Sequence, residues 1–266
     1  MKRWVFCIAV VLGLFTTGAE AQDQPSGYHR VACIKVRPGK GAEFRQFNAD
    51  AVRRFFQASA DSGEIAGWYL LRTVIPAGSE AACDYVAVTL FTGLPRPPLG
   101  LEEIDKGLKR AGVAMSGSEF VAKREEVSSL VSMNLSRQTV RAGAPPEKGD
   151  YAYVNFMKVH SMQDWMDMEN NVWKPMAASF AKDGGLRGWS VNVLVLPSGT
   201  DTKFQAVTLD VFPSWEAVFK PLPVEDTFKQ VHPDKDAEQT FEKLLKSRDL
   251  ARRELLVFEE KVVPAR

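Results

Sequence analysis

The stretch Val31-Ala-Cys-Ile-Lys-Val-Arg-Pro-Gly-Lys-Gly-Ala-Glu-Phe44 opens a segment reaching Phe91 that a second segment, Val154 to about Val211, rewrites in the same order. Lys35-Val36 matches Lys158-Val159, Gly67-Trp68 matches Gly188-Trp189, and Pro76 matches Pro197. Setting Ala87-Val88-Thr89 over Ala206-Val207-Thr208 makes the offset drift from 123 through 121 to 119. Such self-similarity means one architecture built twice rather than two unrelated domains. In the first copy a β-branched strand ends at the breaker cluster Arg37 to Gly41, and in both copies a helical stripe follows the strand. The stripes are Phe44, Phe47, Ala51, Phe55 and Ala58 in the first copy, and Trp165, Met168, Val172, Met176 and Ser179 in the second. Large apolar residues at helical spacing mark a face packed on a sheet.

Outward toward the start, Met1-Lys2-Arg3 precedes an apolar run from Trp4 to Phe15, and Ala19-Glu20-Ala21 supplies an A-x-A cleavage signal. The expectation is a signal peptide over 1–21 and a periplasmic or secreted mature protein, with no membrane attachment after cleavage. Loss of Lys2, Arg3 and Glu20 leaves 32 basic and 32 acidic residues. A formally neutral chain with no Lys/Arg run lacks the electrostatic footprint of a nucleic-acid partner. The mature chain keeps Cys33 and Cys83, which read either as a disulfide suited to an oxidising compartment or as two small core residues. The core reading is preferred, because the second copy has no cysteine at the matching places.

Toward the end, Ile65 to Ile75 and Asp84 to Phe91 form a hairpin pair, matched by Leu186 to Leu196 and Phe204 to Phe212. Helical patterns follow each pair, covering Leu101 to Ala111 and Ser118 to Ser128, then Val224 to His232 and Asp236 to Ala251. Closing strands are expected at Ser129 to Val140 and Glu254 to Val263. The breaker-rich Arg141 to Gly149 joins the copies, which places one repeat over 22–144 and the other over 145–266. Strand–helix–strand–strand–helix–strand is the ferredoxin-like βαββαβ pattern, so the class is α+β with two tandem repeats. Both alternations of the strands are apolar, so each sheet needs a cover on both faces. The other repeat's sheet is the simplest second cover.

The opening Val31 to Phe44, with its Pro38-Gly39-Lys40 strand end, resembles dimeric α/β-barrel domains, a superfamily that includes antibiotic-biosynthesis-monooxygenase-like, NIPSNAP-like and haem-degrading proteins. Phe212-Pro-Ser-Trp-Glu-Ala-Val-Phe219 resembles the segment after their third strand. The resemblance implies two units closed into one intramolecular barrel, with a small-molecule ligand as partner. Such folds host many activities, so the site must decide the function.

Candidate residues are those expected to face a cleft between the two sheets. Trp68 and Trp189 start equivalent strands. Asn155 sits inside a strand where the first copy has Ala32, and a buried amide must find partners. Haem-degrading members of the resembled superfamily carry an Asn at this point and an axial His in a Phe-Lys-x-x-His segment, which Phe228 to His232 resembles. Their Trp ten residues upstream is Leu222 here, and Pro233 marks a helix end. His160 stands near Asp164 and Asp167, but His29, His160 and His232 have no zinc-motif spacing. Three readings follow: a binder of a small apolar ligand without cofactor, a cofactor-independent monooxygenase-like enzyme, and a haem protein using Asn155 and His232. Monomer and weak homo-oligomer both remain open.

Overall fold

The computed structural model describes residues 27–265, so the expected signal peptide lies outside the described residues. The first repeat runs β1 (Tyr28–Val36), α1 (Gly41–Phe47), α2 (Arg53–Asp61), β2 (Gly67–Ile75), β3 (Tyr85–Phe91), α3 (Leu101–Arg110), α4 (Gly117–Val127) and β4 (Ser128–Gly143). The second runs β5 (Tyr151–Val159), α5 (Met162–Met168), α6 (Lys174–Lys182), β6 (Gly188–Leu196), β7 (Ala206–Phe212), α7 (Trp215–Phe219), α8 (Val224–Val231), α9 (Ala237–Ser247) and β8 (Arg248–Val262). All strand pairs are antiparallel, and the order β1-β3-β2-β8-β5-β7-β6-β4 closes into a barrel. The long strands β4 and β8 do the closing: each pairs with its own repeat along one edge and with the other repeat along the second.

Local sequence explains the ends of these elements. Gly39 takes φ +77°, a left-handed conformation that residues with a Cβ rarely adopt, and ends the turn after β1. Ser116 and Glu119 form a reciprocal capping box at α4, while Ser161, Ser214 and Asp236 cap α5, α7 and α9 with their side-chain oxygens.

Each helical stripe is interrupted by a π-helical turn, Asn48–Val52 between α1 and α2 and Glu169–Trp173 between α5 and α6. The wider turn rotates the later face by part of a turn, because each hydrogen bond spans one residue more. That is why Ala60 and Phe180 are buried where the uninterrupted period pointed to Ala58 and Ser179. It also carries Asn48 and Glu169 onto the buried face, 7% and 3% exposed.

The core has three parts. Trp165, Met176, Phe180, Trp189 and Phe228 pack between the second repeat's sheet and its helices, and Phe44, Phe47, Phe55, Trp68 and Leu108 do so in the first. Between the sheets, Tyr69, Leu71, Ala152, Val211, Leu256 and Phe258 form a third cluster. The expected inter-sheet cleft is therefore filled here by apolar side chains.

Three sequence readings are corrected by the register. Cys33 and Cys83 are bonded as a disulfide rather than packed as free core thiols. At the corresponding places of the second repeat, Phe156 and Phe204 meet edge to face with centroids 4.9 Å apart, so an aromatic contact replaces the covalent one. Ala87 pairs with Ala32, and Thr208 with Asn155, so Ala87 corresponds to Thr208 and the offset stays at 121. A two-residue slip leaves every side chain on its own face, which is why the hydrophobic pattern did not reveal it. Finally, α9 ends at Ser247 and β8 begins at Arg248. Leu-Ala-Arg-Arg is a good helix former, but pairing with β5 overrides that weak preference.

Candidate functional site

The polar residues of the second repeat gather on the helix-facing side of its sheet. Along one row of the sheet Arg253, Asn155, Thr208 and Val191 are neighbours; along the next, Tyr153, Asp210 and Trp189. Asn155 is 2% exposed and fully engaged. Its amide nitrogen donates to the Thr208 hydroxyl at 3.1 Å and to the Asp210 carboxylate at 2.8 Å, and its carbonyl accepts from Arg253 Nε. The Arg253 guanidinium also lies 4.9 Å over the Tyr153 ring. Asn155 thus holds an acid and a base at fixed positions rather than offering free valence of its own.

Over this floor stands Glu169, carried inward by the π-helical turn. Burial pushes its carboxyl up to about 7, against the pull of the Arg248 charge and the Trp165 indole, while Asp210 adds a further upward push. Burial also raises Asp210, and Asn155 and Arg253 oppose it. Two carboxylates, both raised by burial, that feel one another beside two arginines form a set that can hold and move a proton. Among the described residues, Glu169 Oε2, Trp165 Nε1, Trp189 Nε1 and Arg248 Nε are buried without a hydrogen-bond partner. The Trp165 indole is directed at Glu169 but stops short of hydrogen-bond geometry. Tyr153 and Asp210 are partly covered and Arg253 is exposed, so the cluster reaches solvent beside β5 and β8.

Two predictions arise here. Asn155→Ala leaves the buried Thr208 and Asp210 oxygens without their donor and should cost about 1–3 kcal/mol in urea unfolding. For Glu169, the folded pKa of about 7 lies above the ordinary glutamate value of 4.5. The folded state therefore binds the extra proton between these pH values. Its stabilising effect is complete below the unfolded value and is lost as pH rises through the folded one, on the order of 3 kcal/mol in all. Glu169→Gln should flatten stability over that window.

The other sequence candidates lie apart from this cluster, except Trp189, which stands across from Asp210. Trp68 belongs to the first repeat's core, fully buried and stacked on Phe56 with centroids 4.8 Å apart. His160 is exposed at a strand end, its Nε2 3.1 Å from the Asp249 carboxylate. His232 does end a helix, but it is 8% exposed rather than superficial. Its Nε2 lies 3.0 Å from the carbonyl of Val172, a residue of the π-helical turn.

Haem does not fit this arrangement. The His232 ring nitrogen is engaged by a backbone carbonyl, and the space between sheet and helices is filled by Trp165, Val172, Met176 and Phe228, all 4% exposed or less. Among the described residues no group of three or more His, Cys, Asp or Glu side chains is placed to hold a metal ion. No helix among them is long and apolar enough to cross a membrane.

Sequence reasoning passed over Glu169, Asp210 and Arg253. Glu169 had left a signal, a charged residue four positions after Trp165 and three before Val172 on a stripe otherwise apolar. Asp210 had another, as the one acid inside Ala-Val-Thr-Leu-Asp-Val-Phe.

No protein-family model and no curated protein matches the sequence. Solved structures do match. A candidate monooxygenase from Lactobacillus acidophilus has 13% identity over 90% of this chain and 96% of its own, with a TM-score of 0.50. A candidate monooxygenase from Fusobacterium nucleatum has 8% identity over 90% and 94%, with a TM-score of 0.53. An anthrone oxidase-like protein has 12% identity over 92% and 95%, with a TM-score of 0.52. At these identities the likeness is one of fold. The chain has the dimeric α/β-barrel fold of monooxygenase-like proteins, with both ferredoxin-like units in one polypeptide.

Proposed function

We propose that this protein is an exported small-molecule enzyme whose second repeat performs cofactor-independent oxygenase chemistry on a compact aromatic with an acidic C–H or O–H. The observation that carries this reading is Glu169: a carboxyl 3% exposed, one oxygen unpartnered, near Asp210, Arg248 and the Trp165 indole, and pushed by burial up to about 7. A general base works best when its pKa lies near the operating pH. Trp165 and Trp189, 0% and 2% exposed, carry N–H donors without partners, suited to charge developing on the oxygen of a substrate admitted from the open side beside β5 and β8. The fold shared with candidate monooxygenases and an anthrone oxidase-like protein supports the same direction.

For an activated methylene the reaction balances with dioxygen as the oxidant. Glu169 removes one proton, and the carbanion gives its electrons to dioxygen to form a hydroperoxide. Loss of water then leaves a ketone, so one oxygen atom enters the product and the other departs with both hydrogens. Export is part of the proposal and is supported by the A-x-A leader and by the Cys33–Cys83 disulfide, which suits an oxidising compartment.

The test is oxygen uptake by the chelator-treated mature protein with anthrone as the probe substrate. One dioxygen consumed per anthrone, at a rate well above the uncatalysed one, supports the reading. Uptake no faster than without protein sinks it and leaves a binding protein.

A further inference from the structure

The first repeat carries no counterpart of the Glu169 cluster; Ala32, Asn48 and Ala87 occupy the places of Asn155, Glu169 and Thr208. It holds something else at the same point of the fold. A cleft of about 440 Å³ opens between α1, the rim of β2 and β3, and the end of β8, beside the connection that joins the repeats. Its apolar wall is Phe44, Leu70, Val257 and Phe258, all 7% exposed or less. Tyr85 lines it too, its ring 4.6 Å from that of Phe44.

The charges around this cleft do not balance. Arg72 is paired with Glu259, and Lys148 with Glu260 at 3.0 Å, so these four neutralise one another. Arg45 is left over and lines the cleft together with the Tyr85 phenol, which feels its charge. A phenol can donate its O–H to an anion. Arg45 and Tyr85 can therefore present two donors to one anionic oxygen pair, above an apolar wall. In the second repeat the corresponding residues are Met166 and Ala206, and the larger Trp165 stands in place of Phe44, so this arrangement is confined to one repeat.

We propose that this cleft is a second ligand site, built for a small organic anion with a flat apolar body, such as an aryl carboxylate or sulfonate. The site is independent of the activity assigned to the second repeat. The apolar body lies on Phe44, Leu70 and Val257, and the anionic group meets Arg45 and the Tyr85 hydroxyl. Charge-assisted hydrogen bonds of this kind are worth about 1.5–3 kcal/mol, which corresponds to a loss of tenfold or more in affinity when the cation is removed.

The experiment titrates the mature protein with 8-anilinonaphthalene-1-sulfonate, followed by fluorescence, with 1-naphthoate and its neutral alcohol 1-naphthalenemethanol as competitors. The expected result is saturable binding at one site, displaced by the naphthoate and far less by the alcohol. Arg45→Gln should weaken it at least tenfold, and Ala49→Trp, which fills the cleft from an exposed position without altering charge, should abolish it. Arg45→Lys should keep part of the affinity. Absence of saturable binding overturns the proposal, as does binding indifferent to Arg45→Gln and Ala49→Trp. Binding lost instead in Glu169→Gln also overturns it, because the probe then occupies the second repeat.

Discussion

Replacing Glu169 by Gln is expected to lower anthrone-dependent oxygen uptake at least a hundredfold while leaving the KM within a few-fold of its original value. The lower bound follows from the usual contribution of a positioned general base, about 10²–10⁴-fold. The amide keeps the shape of the side chain and cannot accept the proton, so proton removal suffers and packing under Trp165 does not. The same substitution removes a carboxyl that burial holds near 7, so the variant should be the more stable protein at pH 8. Lost activity with gained stability separates a chemical role from a structural one. A variant that loses activity and stability together would point to packing.

The second large effect concerns the disulfide. Cys33 and Cys83 close a loop of 50 residues, tying the inner face of β1 to the strand-entry before β3. Restricting an unfolded loop of that length is worth about 4 kcal/mol in the chain-entropy treatment. The double variant Cys33→Ser/Cys83→Ser should accordingly lose about 2–4 kcal/mol in denaturant unfolding, with the barrel intact below the transition. Reduction of the native protein should give a similar loss. Because the second repeat meets the same structural need with Phe156 against Phe204, Phe204→Ala provides the parallel test. It should cost less, because the Phe204 ring is only partly buried and no covalent restraint is removed.

Most of the fold was legible because the duplication states it twice. The breaker after β1, the paired Gly-Trp strand starts and two helical stripes gave the element order, and apolar residues on both strand alternations gave the two-sided burial. What escaped were features that periodicity does not encode. A π-helical turn changes the period for one turn only, so Glu169 was passed over although it lies on the buried face. Arg253 fell between the helix expected to end at Ala251 and the strand expected from Glu254, because strand pairing with Asn155 is a long-range contact that local propensity does not report. Asn155 itself was found, because a polar amide stood where the other repeat had alanine and where the resembled haem-degrading proteins carry an Asn. His232 shows the reverse: a motif-like segment whose ring is taken up by the Val172 carbonyl.

The location of the site also moved. Two facing sheets suggest a cleft between them, but Tyr69, Leu71, Leu256 and Phe258 close that space. The polar cluster and the open cleft lie on the opposite faces, beside the helices. There the repeats have diverged, one toward buried acids and the other toward an open cleft with a surplus cation. Duplication makes this affordable, since one copy can keep the barrel closed while the other changes.

The central claim, that Glu169 is a base poised near neutrality, is tested most directly by carbon-13 NMR titration of the glutamate side-chain carboxyls, with Glu169→Gln to assign the signal. The account predicts one carboxyl titrating near 7, absent in the variant and shifted when a substrate analogue binds. A Glu169 carboxyl titrating at the ordinary 4.5, unmoved by the analogue, would contradict it.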